Sequence, residues 1–134
     1  MDDYKLSAGV GRTKINLSAR YMGDDLVVLI HNEQAHIGAV AIADYDHDTD
    51  RVSISVVTRL GHKDDAVAQK AAYRIGKHMK KPVCVIAGIH LDKVTEEEIK
   101  QIVGNSDKLV IRFLQEPCKT QRDTRLTKVD NGAH

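Results

Sequence analysis

The chain has no tryptophan, one phenylalanine and four tyrosines. So sparse an aromatic set argues against a base-stacking surface of the kind single-stranded nucleic acid needs. An excess of charge is missing too. Lys and Arg number 20 and Asp and Glu 19, for a formal net charge of +1, so there is no whole-chain signature of polyanion binding. The two cysteines, Cys84 and Cys118, form no CxxC or Cys/His zinc spacing and no disulfide framework. Cys84 lies inside an apolar run and is expected to be a buried small hydrophobe. No segment approaches the ~18 consecutive apolar residues of a membrane span, and the opening "MDDYKLSAG" carries no signal-type apolar run. These absences predict a cytoplasmic, reduced protein that engages neither membrane nor nucleic acid.

What is present fits one ordinary globular domain: 134 residues, 42% apolar and 29% charged. In "RTKINLSARY", Ile15, Leu17 and Ala19 alternate with polar residues, the pattern of a half-solvated antiparallel strand. "MGDD" is a turn signal. "DLVVLIH" and "HIGAVAIA" read as further strands, and "RVSISVVTR" alternates again. Together they predict a four-stranded meander. The period then changes. "KDDAVAQKAAYRIGKHMKK" sets Ala68, Ala72, Ile75 and Met79 on one helical stripe. Its acids lie at the start and its bases at the end, as the helix dipole favours, and Pro82 stops it. Ala68, Ala71, Ala72 and Gly76 would let this helix approach a sheet closely. "VCVIAG" is a short apolar strand. Thr95 and Glu98 make a capping box for a helix from 95 to about 103, which Gly104-Asn105-Ser106 interrupts. "DKLVIRFLQE" suits a helix better than a strand. The expected fold is α+β: an antiparallel sheet of an N-terminal four-stranded meander plus one later strand, with two to three helices on one face. Residues 1–116 form the domain and 117–134 a polar tail.

Four segments concentrate chemistry. "DYDHDTD" places Asp44, Asp46, Asp48 and Asp50 at alternate positions, like the start of a calcium loop. Thr49 stands where such a loop needs glycine and Ser55 where it needs glutamate, so a solvated hairpin is the better reading. "QAHIGAV" puts His36 and Gly38 at a strand start, on one face if the chain is extended; an edge histidine with a packing glycine is the alternative. "LGHKDD" places His62, Lys63, Asp64 and Asp65 at a helix N-terminus, a workable phosphate cradle without P-loop glycine spacing. The two carboxylates are otherwise plain helix-start residues. "AGIHLD" sets Gly88, His90 and Asp92 just past the end of an apolar strand, where sheet proteins commonly hold ligands. There Asp92 can orient the His90 imidazole; otherwise both are satisfied turn residues. No serine or cysteine is flanked for nucleophilic work.

In their order and spacing, H-I-G, then G-H-K-D before a helix, then A-G-I-H-L-D before a capped helix resemble the LpdD-like family, small D-type accessory proteins of gallate decarboxylase systems. The resemblance covers residues 17 to 114. It implies a non-enzymatic chaperone that binds prenylated FMN (or FMN), protects or stores it, and delivers it to a UbiD-type decarboxylase. Partners would be that decarboxylase and the flavin prenyltransferase that makes the cofactor. The matching positions are His36, Ile37 and Gly38; His62, Lys63 and Asp64; and Gly88, His90 and Asp92. The expected cofactor-binding residues are therefore His36, Gly38, His62, Lys63, Asp64, Gly88, His90 and Asp92. The phosphate would lie near Lys63 and His62, and the two glycines would admit the ring or ribityl chain. Scarce aromatics favour a homo-oligomer whose second subunit adds a wall to the site. Two alternatives stay open: a small metal-dependent enzyme built on His36, His62, His90 and Asp92, and a purely structural decarboxylase subunit.

Overall fold

The computed structural model describes residues 4–59 and 64–116. In chain order it runs β1 (Tyr4–Ala8), a short 3-10 helix (Gly11–Thr13), β2 (Ile15–Met22), β3 (Asp25–His31), β4 (Ala39–Asp46), β5 (Arg51–Thr58), α1 (Asp65–Met79), β6 (Val83–Gly88) and α2 (Glu96–Gln115). The strands form one six-stranded sheet in the order β1-β2-β3-β6-β4-β5.

Alternation decides which side of each strand is buried. Three rows of side chains cross the sheet in register: Leu17–Ile30–Ala87–Ala39, Ala19–Val28–Val85–Ala41 and Tyr21–Leu26–Val83–Ala43. All are buried. Each large aliphatic among them contributes about 1.5–3 kcal/mol by leaving water. Helix α1 packs over β4, β5 and β6, and α2 over β1 and β2. Both lie on this one face, with Phe113 of α2 edge-on to Tyr4 at 5.4 Å between ring centroids. The small residues of α1 do what their size suggests. A Cβ on Gly76 would meet the Ala43 Cβ at 3.0 Å, so the helix rests almost on the sheet backbone.

The fold is α+β, and its sheet departs from the expected one. Strand β6 does not follow a four-stranded meander; it inserts between β3 and β4, parallel to β3 and antiparallel to β4. With a neighbour on each side, β6 has the backbone groups of both its edges paired. β1 is a further edge strand, paired antiparallel with β2. The sheet is thus mixed rather than wholly antiparallel.

There are two α-helices among the described residues, because α2 runs through Gly104-Asn105-Ser106 unbroken. Each of the three is accommodated. Gly104 faces open space, Asn105 Nδ2 donates to the Thr13 carbonyl at 2.8 Å, and Ser106 Oγ donates to the Ile102 carbonyl one turn back at 2.8 Å. The Thr95–Glu98 capping box forms as expected. The acidic segment is the β4–β5 turn: Asp46 accepts from the Asp48 N–H and the Thr49 hydroxyl, and Asp50 accepts from Tyr45 Oη and pairs with Lys77. Cys84 is half-buried rather than buried, on the sheet face away from the helices. Residues 117–134 lie outside the described residues, as do His62 and Lys63.

Candidate functional site

The mixed topology brings the ends of five elements together. Parallel β3 and β6 finish side by side at His31 and Gly88. Antiparallel β4 begins at the same end, with Ala39 opposite Ala87. β5 ends there beside Ala39, and α1 starts at the same end with Asp64 as its N-cap. The histidine, glycine and aspartate motifs occupy the connections at this end.

His36 and His90, from different motifs, bring their rings to 5.2 Å between centroids, tilted by 49°. His90 Nε2 lies 3.0 Å from Asp92 Oδ1. Its side chain is 43% exposed and that of Asp92 80%, so the pair faces solvent and remains accessible to a ligand. The His90 main chain is fixed from below. Asn32, buried at the end of β3, donates from Nδ2 to the His90 carbonyl at 2.7 Å and accepts at Oδ1 from the His90 N–H at 3.2 Å. The amide extends the β3–β6 ladder by one step after the backbones part.

The two glycines permit close approach by protein. A Cβ on Gly88 would fall 2.0 Å from the His36 carbonyl oxygen, so the His36 main chain lies directly on the end of β6. A Cβ on Gly38 would fall 1.8 Å from Asp64 Oδ2. Asp64 itself is buried, and this same oxygen accepts from the Ile89 N–H at 3.3 Å. Instead of capping its own helix by a side-chain bond, Asp64 ties the start of α1 to the chain leaving β6. The Gly38 N–H donates to the Ala87 carbonyl at 2.9 Å. His36 and Gly38 precede β4 rather than lying in it, so strand alternation does not set their direction.

Beside His90 and Asp92 opens a cleft of about 530 Å3, lined by Arg12, Lys14, Asn32, Gln34, Leu91 and Asp92 among others. Its size is within the usual range for small-molecule sites. Arg12 forms one wall. Its guanidinium makes a two-pronged contact with Glu98, at 2.8 and 3.3 Å, and donates to the Asp92 carbonyl at 2.8 Å. Arg12, with the Thr95 backbone N–H behind it, holds the Glu98 carboxyl down at about 2, well below its ordinary 4.5.

The expected residues His36, Gly38, Asp64, Gly88, His90 and Asp92 thus meet at one end of the sheet. Sequence reasoning did not single out Arg12, Lys14 or Asn32. An asparagine directly after an apolar strand was the available signal for the last. Among the described residues, no three His, Cys, Asp or Glu side chains group closely enough to hold a metal ion. No described helix is long and apolar enough to cross a membrane.

Fold and site together define a small α+β domain that carries a ligand-sized cleft at the end of a single sheet. Comparison makes that specific. The chain belongs to the prenylated flavin chaperone LpdD-like domain family, which matches residues 9–117. No curated protein matches it. Among solved structures, a chain of a chaperone complex for yeast 20S proteasome assembly shares the fold. Its TM-score is 0.53 at 15% identity, and the alignment covers 85% of this chain and 94% of that one.

Proposed function

We propose that this protein is a non-enzymatic carrier of prenylated FMN, which shields the modified flavin and delivers it to a UbiD-type decarboxylase. The observation that carries the reading is the convergence of His36 and His90 beside an open cleft in a member of a prenylated flavin chaperone family. In this reading the polar edge of the ring system meets His36 and His90, with Asp92 orienting the latter. Gly38, Gly88 and Asp64 act by positioning: they let the His36 main chain and the α1 start close onto β6.

The phosphate has two candidate cradles. One is the start of α1, with His62 and Lys63. The other is the Lys14–Arg12 wall of the cleft. The buried Asp64 carboxylate stands at the first, while Glu33 and Asp92 line the second and Glu98 pairs with its Arg12, so substitution at each decides between them. The flavin prenyltransferase would load the carrier, and a second copy of the chain would supply the wall that scarce aromatics leave missing.

Titration with prenylated FMN, with Lys14→Ala and Lys63→Ala in parallel, tests the reading. Tight binding by the wild type, weakened by one substitution, supports it and locates the phosphate. Transfer is read as activity restored to an apo-decarboxylase. A protein that binds no flavin and restores no activity would falsify the carrier role.

A further inference from the structure

The sheet has two faces, and the described residues cover only one of them with helices. On the other face, the composition changes across the strands. The central strands β3, β6 and β4 present Val27, Leu29, Cys84, Ile86, Val40 and Ile42. Leu29 is 38% and Ile42 50% exposed, and the other four are half-buried. The flanking strand β2 presents Asn16, Ser18 and Arg20 on that face with the exposed Met22 at its end, and β5 presents Ser53 and Ser55 with the exposed Val57. An apolar centre inside a polar rim is how a protein interface is built. A strand that is apolar on both sides is made to be covered on both. Here β6 is apolar throughout and covered once.

We infer that this bare face is the interface between two copies of the chain, packed sheet against sheet. Six strands at a spacing of about 4.8 Å, each roughly 20 Å long, give a flat area of about 500 Å2 before pleating, the order of magnitude of the ~800 Å2 per partner in a standard interface. Charge selects the arrangement. Arg20 lies on the β2 side of the face and Asp44 on the β4 side. A two-fold axis across the strands would set β2 over β2, bringing Arg20 against Arg20 and Asp44 against Asp44. A two-fold axis along the strands, between β3 and β6, sets β2 over β4 of the second copy. Arg20 and Asp44 are then within reach across the ~10 Å that separates stacked sheets. This second arrangement keeps strand ends level, so the His36–His90 ends of both copies lie at the same end of the dimer. The pairing of ends follows from symmetry whatever the ligand proves to be.

The test uses the full, ligand-free chain, so it stands apart from flavin binding. Sedimentation velocity from about 1 to 100 μM should give about twice the 14.9 kDa chain mass. Leu29→Glu with Ile42→Glu should give a monomer with an unchanged far-UV spectrum. Arg20→Asp and Asp44→Arg should each weaken the dimer by tenfold or more, and the double exchange should restore it. The exchange makes no demand on core packing, so it remains decisive if the apolar variant misfolds. A wild type that is monomeric throughout, a dimer indifferent to Ile42→Glu, or a charge exchange that fails to restore association overturns the proposal. So does a monomer that begins to dimerise when residues 117–134 are removed, since the cover would then be the chain's own terminal segment.

Discussion

Asn32 holds both polar groups of the His90 backbone, giving one hydrogen bond and receiving one. No other side chain could do both without a change of shape. Asp can accept but not donate, and Leu can do neither. Asn32 is buried, so its loss leaves a donor and an acceptor without partners. Asn32→Leu should therefore cost about 1–3 kcal/mol, the usual penalty for stranding buried polar groups. It should also loosen His90 relative to His36. Thermal unfolding reads the first effect, and the line width of the His90 ring resonances reads the second. An unchanged midpoint would show that water replaces the amide at no cost.

Gly38 and Asp64 are predicted to be coupled. Gly38→Ala drives a methyl into the Asp64 carboxylate, which cannot turn aside without releasing the Ile89 N–H. In an Asp64→Ala background the obstacle is gone, and the same substitution should be much milder. The double-mutant cycle should show a coupling of about 0.5–3 kcal/mol. Additive effects would place the collision elsewhere. Gly88→Ala has no such rescue, because its obstacle is the His36 backbone itself.

Glu98 gives the fold an acid-sensitive link. Its folded-state carboxyl titrates at about 2 against an ordinary 4.5, held down first by Arg12. A depressed carboxyl contributes stability that is fully present above the ordinary value and is lost as pH falls through the folded one. Glu98→Gln keeps the capping geometry and removes the charge. The variant should be less stable than the wild type at pH 6. The gap should close between about pH 4.5 and 2, as read by urea unfolding at each pH. A gap independent of pH would mean that the Arg12 contact is carried by geometry alone.

Much of this was legible in the sequence, and what was not has a common cause. The α1 stripe, the Thr95–Glu98 box and the β4–β5 turn are local: each depends on residues a few positions apart. His36, Asp64 and His90 each stood out as polar residues at the ends of elements, but their convergence was not legible, because spacing along the chain does not fix distance in space. The insertion of β6 was not either, because alternation within a strand says which face is buried but not which strand lies alongside. The helix through Gly104-Asn105-Ser106 was hidden for a related reason. Asn105 finds its partner at Thr13, far away in the chain, a contact that local sequence does not show. The half-buried Cys84 shows the same limit: an apolar run gives its own preference for burial, not what is available to cover it.

The position of β6 also sets an order of events. β2–β3 and β4–β5 are hairpins of neighbouring strands, and without β6 their inner edges at β3 and β4 would be unpaired. Nothing joins those edges until Val83–Gly88 emerges. Non-local pairing of this kind is slow to form, and open edges in the meantime invite other strands. A chain truncated before Val83 would therefore keep two hairpins with open inner edges rather than a smaller closed sheet. The strand that closes the sheet also carries Gly88 and leads into His90, so the pairing that seals the two inner edges is the one that brings His90 up to His36.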